Sequence, residues 1–218
     1  MGAFFLELQA RITLDMLRPW PGARVLDVGG GHGQLTGPLL EAGHGVTVYG
    51  SSERACGEEL REQVERGAVT FDAGDLLHGP WQDGAFDVVV SYRLLPHVVD
   101  WNALVAELCR LARRAVVVDY PTRRSLNALA SIFFPLKKRV EGNTRPFTVF
   151  GDREIEEAFA SQGFTVTARR GEFFLPMALH RALRLAGLSR VLESAARVVG
   201  LTRALGSPVI LRAERREA

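Results

Sequence analysis

Glycines are concentrated directly after an apolar segment near the N-terminus. The stretch 25–35 reads VLDVGGGHGQL, in which Asp27 is followed by Gly29, Gly31 and Gly33. Glycine lets a chain leave a buried strand sharply and approach a ligand closely, because no Cβ stands in the way. The segment after it has helical character, so helix-start N–H groups would point at a ligand there. This pattern is typical of a nucleotide-binding loop in an α/β domain.

Two common nucleotide-binding loops do not fit the spacing. The dinucleotide fingerprint needs glycines at relative positions 1, 3 and 6. Counting from Gly29 places Gln34 at position 6, and counting from Gly31 places Thr36 there. A phosphate-binding loop would need a lysine after the last glycine, where Gln34 stands instead.

The remaining pattern, acid-x-Gly-x-Gly-x-Gly, resembles motif I of the class I S-adenosylmethionine-dependent methyltransferases of the small-molecule type. The resemblance implies that Asp27 helps to hold the methionine amino group. It also implies that Gly29, Gly31 and Gly33 let the backbone approach the methionine and the ribose, with His32 beside the methionine. S-adenosylmethionine is then the expected cofactor.

Three downstream segments resemble the same family in the same order. FDAGDLL (71–77) resembles the loop after the third strand, where Asp75, followed by Leu76, would meet the adenine. FDVVVSYRLLPHVVDW (86–101) resembles the fourth strand and its exit loop, which places Ser91, Tyr92 and Arg93 at the site. LVAELCRLARRAVVVDYP (104–121) resembles the next helix and the fifth strand.

The end of the second strand departs from the family pattern. An acid that binds both ribose hydroxyls is expected there, but the position is occupied by Gly50, followed by Ser51, Ser52 and Glu53. The serines or Glu53 could replace the acid, although a hydroxyl is a weaker acceptor than a carboxylate. Weakened cofactor binding and a non-enzymatic relative remain alternatives.

His97 is the candidate general base. It follows the fourth strand at the edge where the donor methyl group would lie, and histidine can accept a proton near neutral pH. The alternative is a histidine that only packs or orients the loop.

Apolar segments alternate with helical ones along the first 121 residues. We predict strands at 24–28, 45–49, 68–72, 86–91 and 115–119, with helices at 34–42, 53–66 and 101–112 between them. Such alternation favours a parallel sheet covered by helices on both faces. A helix at 152–162 and strands at 164–174 and 208–213 follow. The expected fold is an α/β, doubly wound, Rossmann-like sheet of seven strands, with strand 7 antiparallel.

Composition supports a single cytoplasmic domain spanning 1–218. The chain has 218 residues, 47% hydrophobic, with a net charge of +2 that demands no nucleic acid partner. Two cysteines and no HExxH pattern argue against a disulfide framework and a metal site. Residues 1–22 form an N-terminal helical segment without the pattern of a signal peptide.

Two segments, 122–150 and 176–205, are expected to be cap or substrate-binding insertions. The second interrupts the connection between strands 6 and 7 and is basic and amphipathic. It could be a lid over an apolar acceptor, a helix that makes peripheral contact with a membrane, or a structural cap.

The predicted function is methyl transfer to an apolar or aromatic small molecule, with O-methylation favoured over C-methylation. Because the donor methyl is already electrophilic, the protein mainly has to align the nucleophile. The alternatives are a nicotinamide-dependent oxidoreductase, which lacks its third glycine here, and a non-catalytic methyltransferase-like binding partner.

Overall fold

The computed structural model describes residues 2–125, 147–174, 193–194, 196, 198 and 200–216. In these ranges the strands are β1 (Arg24–Val28), β2 (Gly45–Gly50), β3 (Thr70–Ala73), β4 (Phe86–Ser91), β5 (Ala112–Tyr120), β6 (Phe164–Gly171) and β7 (Val209–Arg215). The helices are α1 (Gly2–Leu17), α2 (Thr36–Glu41), α3 (Glu58–Glu65), α4 (Trp101–Leu111), α5 (Asp152–Ser161) and α6 (Leu201–Leu205).

The strands form one sheet in the order β3-β2-β1-β4-β5-β7-β6. Strands β1 to β5 pair in parallel, and β7 runs antiparallel to both β5 and β6. The predicted fold class is therefore confirmed. The strand order reverses between β1 and β4, and ligands of open α/β sheets bind at the carboxyl ends of the strands at such a point.

Two apolar cores cover the two faces of the sheet. One joins Leu26 and Val28 of β1 to helices α4 and α5. The other joins Val25 to α1, α2 and α3. Because successive side chains of a strand point to opposite faces, Asp27 continues the face of Val25 and points toward α1.

Several element bounds differ from the sequence prediction, and the three largest differences follow. β5 starts at Ala112 directly after α4, and β6 ends at Gly171. The predicted helix 53–66 is divided into a 3₁₀ turn, Glu53–Ala55, and α3. The division occurs because the Gly57 N–H donates to the carbonyl of Gly31 at 2.7 Å, which ties this segment to the glycine loop.

Most of the two predicted insertions lie outside the described residues. Within 122–150, the described part includes a parallel bridge between Thr122 and Phe150. Within 176–205, it includes α6, which follows Gly200. No described helix is long and apolar enough to cross a membrane.

Candidate functional site

A cleft of about 360 Å³ opens at the carboxyl ends of β1 and β4. The residues that line it come from α1, the glycine loop and the exit of β4. They are Gln9, Asp27, Gly29, Gly30, His32, Gln34, Leu35, Tyr92, Arg93, Leu94 and His97. The structure therefore brings together six of the predicted site residues: Asp27, Gly29, His32, Tyr92, Arg93 and His97.

The Asp27 carboxyl group is the most unusual group in this cleft. Its residue is only 2% exposed, and no described side chain or backbone N–H donates a hydrogen bond to the carboxylate. Burial raises the pKa of Asp27 to about 7. A buried carboxylate without a partner is costly, so this site favours a ligand that brings a cation.

The glycine loop allows this carboxylate to reach the cleft. A Cβ on Gly30 would lie 1.9 Å from Oδ2 of Asp27, so a side chain there would displace the carboxylate. Gly29 has φ +84°, a left-handed conformation that favours glycine. The sequence prediction chose Gly29, Gly31 and Gly33 and did not include Gly30.

Gly31 and Gly33 do not line the cleft. A Cβ on Gly31 would lie 2.2 Å from the carbonyl oxygen of Ala55, in the segment that crosses the loop. Gly33 has φ +69° and packs against Leu60 of α3. In this structure both glycines fit the loop to neighbouring chain segments, and their contact with the cofactor stays a prediction.

The exit of β4 is held in an uncommon backbone conformation. Arg93 has φ +55°, which is rare for a residue with a side chain, and its N–H donates to Oδ1 of Asp119 at 2.6 Å. The Tyr92 and Thr13 hydroxyl oxygens are 2.6 Å apart, which links this exit to α1. Ser91 is buried and donates its hydroxyl to the Val28 carbonyl at 2.9 Å, so it connects β4 to β1.

His97 is exposed at the rim of the cleft. It closes the 3₁₀ turn Leu95–His97, and its ring centroid lies 5.6 Å from that of Phe147. The positive charge of a protonated His97 favours the ionised form of Asp119. This position is compatible with both alternatives, a general base and a loop-orienting residue.

The predicted ribose and adenine residues lie outside the lining of this cleft. Ser51 and Ser52 are exposed. Asp75 is exposed too, and accepts hydrogen bonds from the Leu77 N–H at 2.9 Å and from the His78 ring at 2.8 Å. These two bonds, that from His78 first, lower the pKa of Asp75.

Neighbouring side chains leave little free space at Gly50, next to the two serines, and at Leu76, next to Asp75. A Cβ on Gly50 would meet the Phe71 ring at 2.9 Å and the Ala55 Cβ at 3.2 Å, so the missing acid has little room there. Leu76 packs partly buried against the core. The roles of Ser51, Ser52, Asp75 and Leu76 stay predictions.

Sequence reasoning missed four polar residues around the cleft. Gln9 and Thr13 come from α1, while Asp119 is the last residue but one of β5 and Glu172 follows β6; each is 5% exposed or less. Burial raises the pKa of Asp119 to about 6, and burial together with the Asp119 charge raises the pKa of Glu172 to about 8. A signal was available: Gln9 and Thr13 are polar residues spaced four apart on the buried side of an apolar helix.

Comparisons with known proteins agree with this architecture. Residues 26–117 match the protein family described as "Methyltransferase domain". The magnesium protoporphyrin IX methyltransferase of Synechocystis, solved with bound SAH, has a TM-score of 0.67 at 19% identity, covering 97% of this chain and 84% of that one. The seven-stranded sheet of this chain thus has the Rossmann-like fold of these methyltransferases.

Curated relatives are methyltransferases too. The ubiquinone biosynthesis O-methyltransferase of Rhizobium rhizogenes is 27% identical over 166 residues, which are 73% of this chain and 67% of that protein. The demethylmenaquinone methyltransferase of Beutenbergia cavernae is 31% identical over 151 residues, 65% of this chain and 62% of that protein. The match over residues 26–117 and these relatives confirm the predicted enzyme class, an S-adenosylmethionine-dependent methyltransferase, and its cofactor.

Proposed function

We propose that this protein transfers a methyl group from S-adenosylmethionine to a hydroxyl group of an apolar or aromatic small molecule. The observation that carries the proposal is the buried Asp27 carboxylate, which lines the cleft without a hydrogen-bond donor from the described residues. The ammonium group of a methionine moiety supplies the cation that this carboxylate lacks.

The residues at the cleft fit the methionine end of the cofactor. Asp27 would hold the amino group, and Gly29 and Gly30 would let the chain pass close beside it. When bound, the cofactor supplies an electrophilic methyl group on a sulfonium. The protein then has to exclude water, orient the acceptor and accept its proton.

His97 is our candidate for the proton acceptor. It lines the same cleft as Asp27 and Tyr92, at the exit of β4. If it acts as general base, His97→Asn should lower kcat by about 100-fold or more while the affinity for S-adenosylhomocysteine stays unchanged. An equal loss of kcat and of affinity for S-adenosylhomocysteine would indicate that His97 only orients the loop.

The relatives favour an aromatic acceptor but differ in the atom that is methylated. One is named an O-methyltransferase of ubiquinone biosynthesis, and the other is named a demethylmenaquinone methyltransferase. The 31% identity to the second keeps C-methylation as the alternative outcome.

The first experiment is a calorimetric titration with S-adenosylhomocysteine and with NAD. The proposal requires that the first binds and the second does not. The second experiment incubates the protein with S-adenosylmethionine and a panel of alkylated phenols, catechols and quinols. Mass spectrometry detects the added methyl group, and NMR distinguishes a methoxy from a ring methyl group. Cofactor binding without transfer to any panel member would favour the non-catalytic alternative.

Peripheral membrane contact by the segment 176–205 and a cytoplasmic location stay predictions. Leu201, at the start of α6, is 38% exposed, and Val198 just before it is 86% exposed. Co-sedimentation with vesicles that contain anionic lipid would test the contact. Binding that is unchanged after Val198→Ser and Leu201→Ser would exclude a role for these two side chains.

A further inference from the structure

The N-terminal helix contributes a polar side chain to the cleft. Gln9 of α1 is 5% exposed and lines the cleft together with Asp27 and Tyr92. One turn later the Thr13 hydroxyl donates to the Gln9 carbonyl at 2.7 Å, so the Tyr92 hydroxyl, 2.6 Å away, donates to Thr13. These bonds fix this turn of α1 against the exit of β4.

Glu172 determines the orientation of the Gln9 amide. Nε2 of Gln9 donates to Oε1 of Glu172 at 3.4 Å, and Glu172 itself is 4% exposed. In this structure Oε1 of Glu172 accepts the Gln9 N–H, which leaves the amide oxygen directed away from Glu172. The nitrogen end of the amide is therefore directed toward Glu172, as the hydrogen-bonding partners decide for any side-chain amide.

The oxygen end of the same amide is left for a ligand. No described residue donates a hydrogen bond to Oε1 of Gln9. An amide oxygen accepts hydrogen bonds and cannot donate them. A bound molecule that brings a hydroxyl group would satisfy Oε1, whereas one that brings only ether or carbon atoms would bury it without a partner.

We infer that Gln9 determines acceptor specificity: its Oε1, oriented by Glu172, accepts a hydrogen bond from a hydroxyl group of the acceptor. The inference rests on the proposed function, because it takes the cleft beside Asp27 as the place where donor and acceptor meet. Glu172 is then a positioning residue that acts through Gln9.

The test uses 4-tert-butylcatechol and its dimethyl ether as probes. Both are titrated into the protein saturated with S-adenosylhomocysteine. The wild-type protein should bind the catechol about 10- to 100-fold more tightly than the ether, because only the catechol satisfies Oε1. Gln9→Met keeps the length of the side chain and should bind the two within about threefold, since it lacks the amide oxygen.

Three further variants make the result specific. Gln9→Leu also removes the amide oxygen, and it provides a second test in case the side chain introduced by Gln9→Met packs poorly. Glu172→Leu should reduce the preference for the catechol, because the amide is no longer oriented. Glu7→Gln lies at an exposed position of the same helix and should keep the full preference. Far-ultraviolet circular dichroism of every variant separates a loss of acceptor recognition from a loss of structure.

Each outcome has a defined meaning. A folded Gln9→Met that keeps the preference overturns the inference, and so does a wild-type protein that binds both probes equally or binds neither. A preference that is lost in Gln9→Met but kept in Glu172→Leu overturns the positioning role of Glu172. Failure of the proposed function is distinguishable, because the wild-type protein would then not bind S-adenosylhomocysteine in the first titration.

Discussion

The protonation state of the Asp27 carboxyl group should control the affinity for the cofactor. Burial raises the pKa of Asp27 from 3.8 to about 7 in the ligand-free protein. A bound ammonium group stabilises the ionised form, so the ligand must first remove the proton whenever the pH lies below 7. If binding restores the ordinary pKa, the coupling is about 4 kcal/mol, at about 1.4 kcal/mol per pKa unit.

This coupling determines the direction and the size of the change in cofactor affinity with pH. The affinity for S-adenosylhomocysteine should fall as the pH falls, by about tenfold per unit below pH 7, and thus by about 100-fold between pH 7 and pH 5. Asp27→Asn removes both the titration and the charge. We expect its affinity to be independent of pH over this range and weaker than that of the wild type at pH 8 by about 1.5–3 kcal/mol, or 10- to 150-fold.

Isothermal titration calorimetry at half-unit steps from pH 5 to pH 8 measures both effects. Far-ultraviolet circular dichroism at each pH shows that the fold is retained. A wild-type profile that stays flat, or an Asp27→Asn variant that keeps the slope, would refute the reasoning. The second result would assign the titration to another group at the cleft.

Three further predictions concern the same region. Gly30→Ala should abolish S-adenosylhomocysteine binding in calorimetry, since its Cβ would lie 1.9 Å from the Asp27 carboxylate. Gly37→Ala is the control: a Cβ at this position has no atom within 4 Å, so this variant should bind normally. Gly50→Asp should lower the free energy of unfolding by about 1–3 kcal/mol without tightening cofactor binding, and Phe71→Leu in the same chain should recover part of the loss. Glu172→Gln should raise the free energy of unfolding in urea at pH 9 but not at pH 4. The raised pKa makes Glu172 stabilising only while protonated, so its contribution is lost as the pH rises from 4.5 through about 8, by at most about 5 kcal/mol. A Gly50→Asp variant with increased affinity, or a Glu172→Gln variant with equal effects at both pH values, would contradict these expectations.

The parts of the fold that sequence predicted well are those fixed by local pattern. β1 and β4 are bounded as predicted, because each is an apolar run with an acid that ends or interrupts it. The helix after β2 was predicted as one piece, because its local composition is helical throughout. Its division depends on the bond between Gly57 and Gly31, two residues from different loops. The helix propensities of single residues carry no information about such a contact between distant segments.

The candidate site shows the same division between local and non-local information. Asp27 and the loop glycines could be recognised because they form one short motif. The contact between Gln9 and Glu172 could not, because it joins positions 163 residues apart. Asp119 lay within a predicted strand, but nothing in the sequence indicated that its carboxylate would bind the backbone of Arg93.

Strand alternation explains why the buried acids converge on one place. Asp27 and Asp119 continue the faces of Val25 and Val117, whose side chains belong to the core beneath α1. Both strands end at the same edge, so the two carboxyl groups reach the same side of the sheet where the apolar core stops. Gln9 extends from α1 onto this side, and Glu172 meets it from the end of β6. The period of two that builds the core therefore also directs the acids near these strand ends toward the cleft, where the proposed ligands would bind.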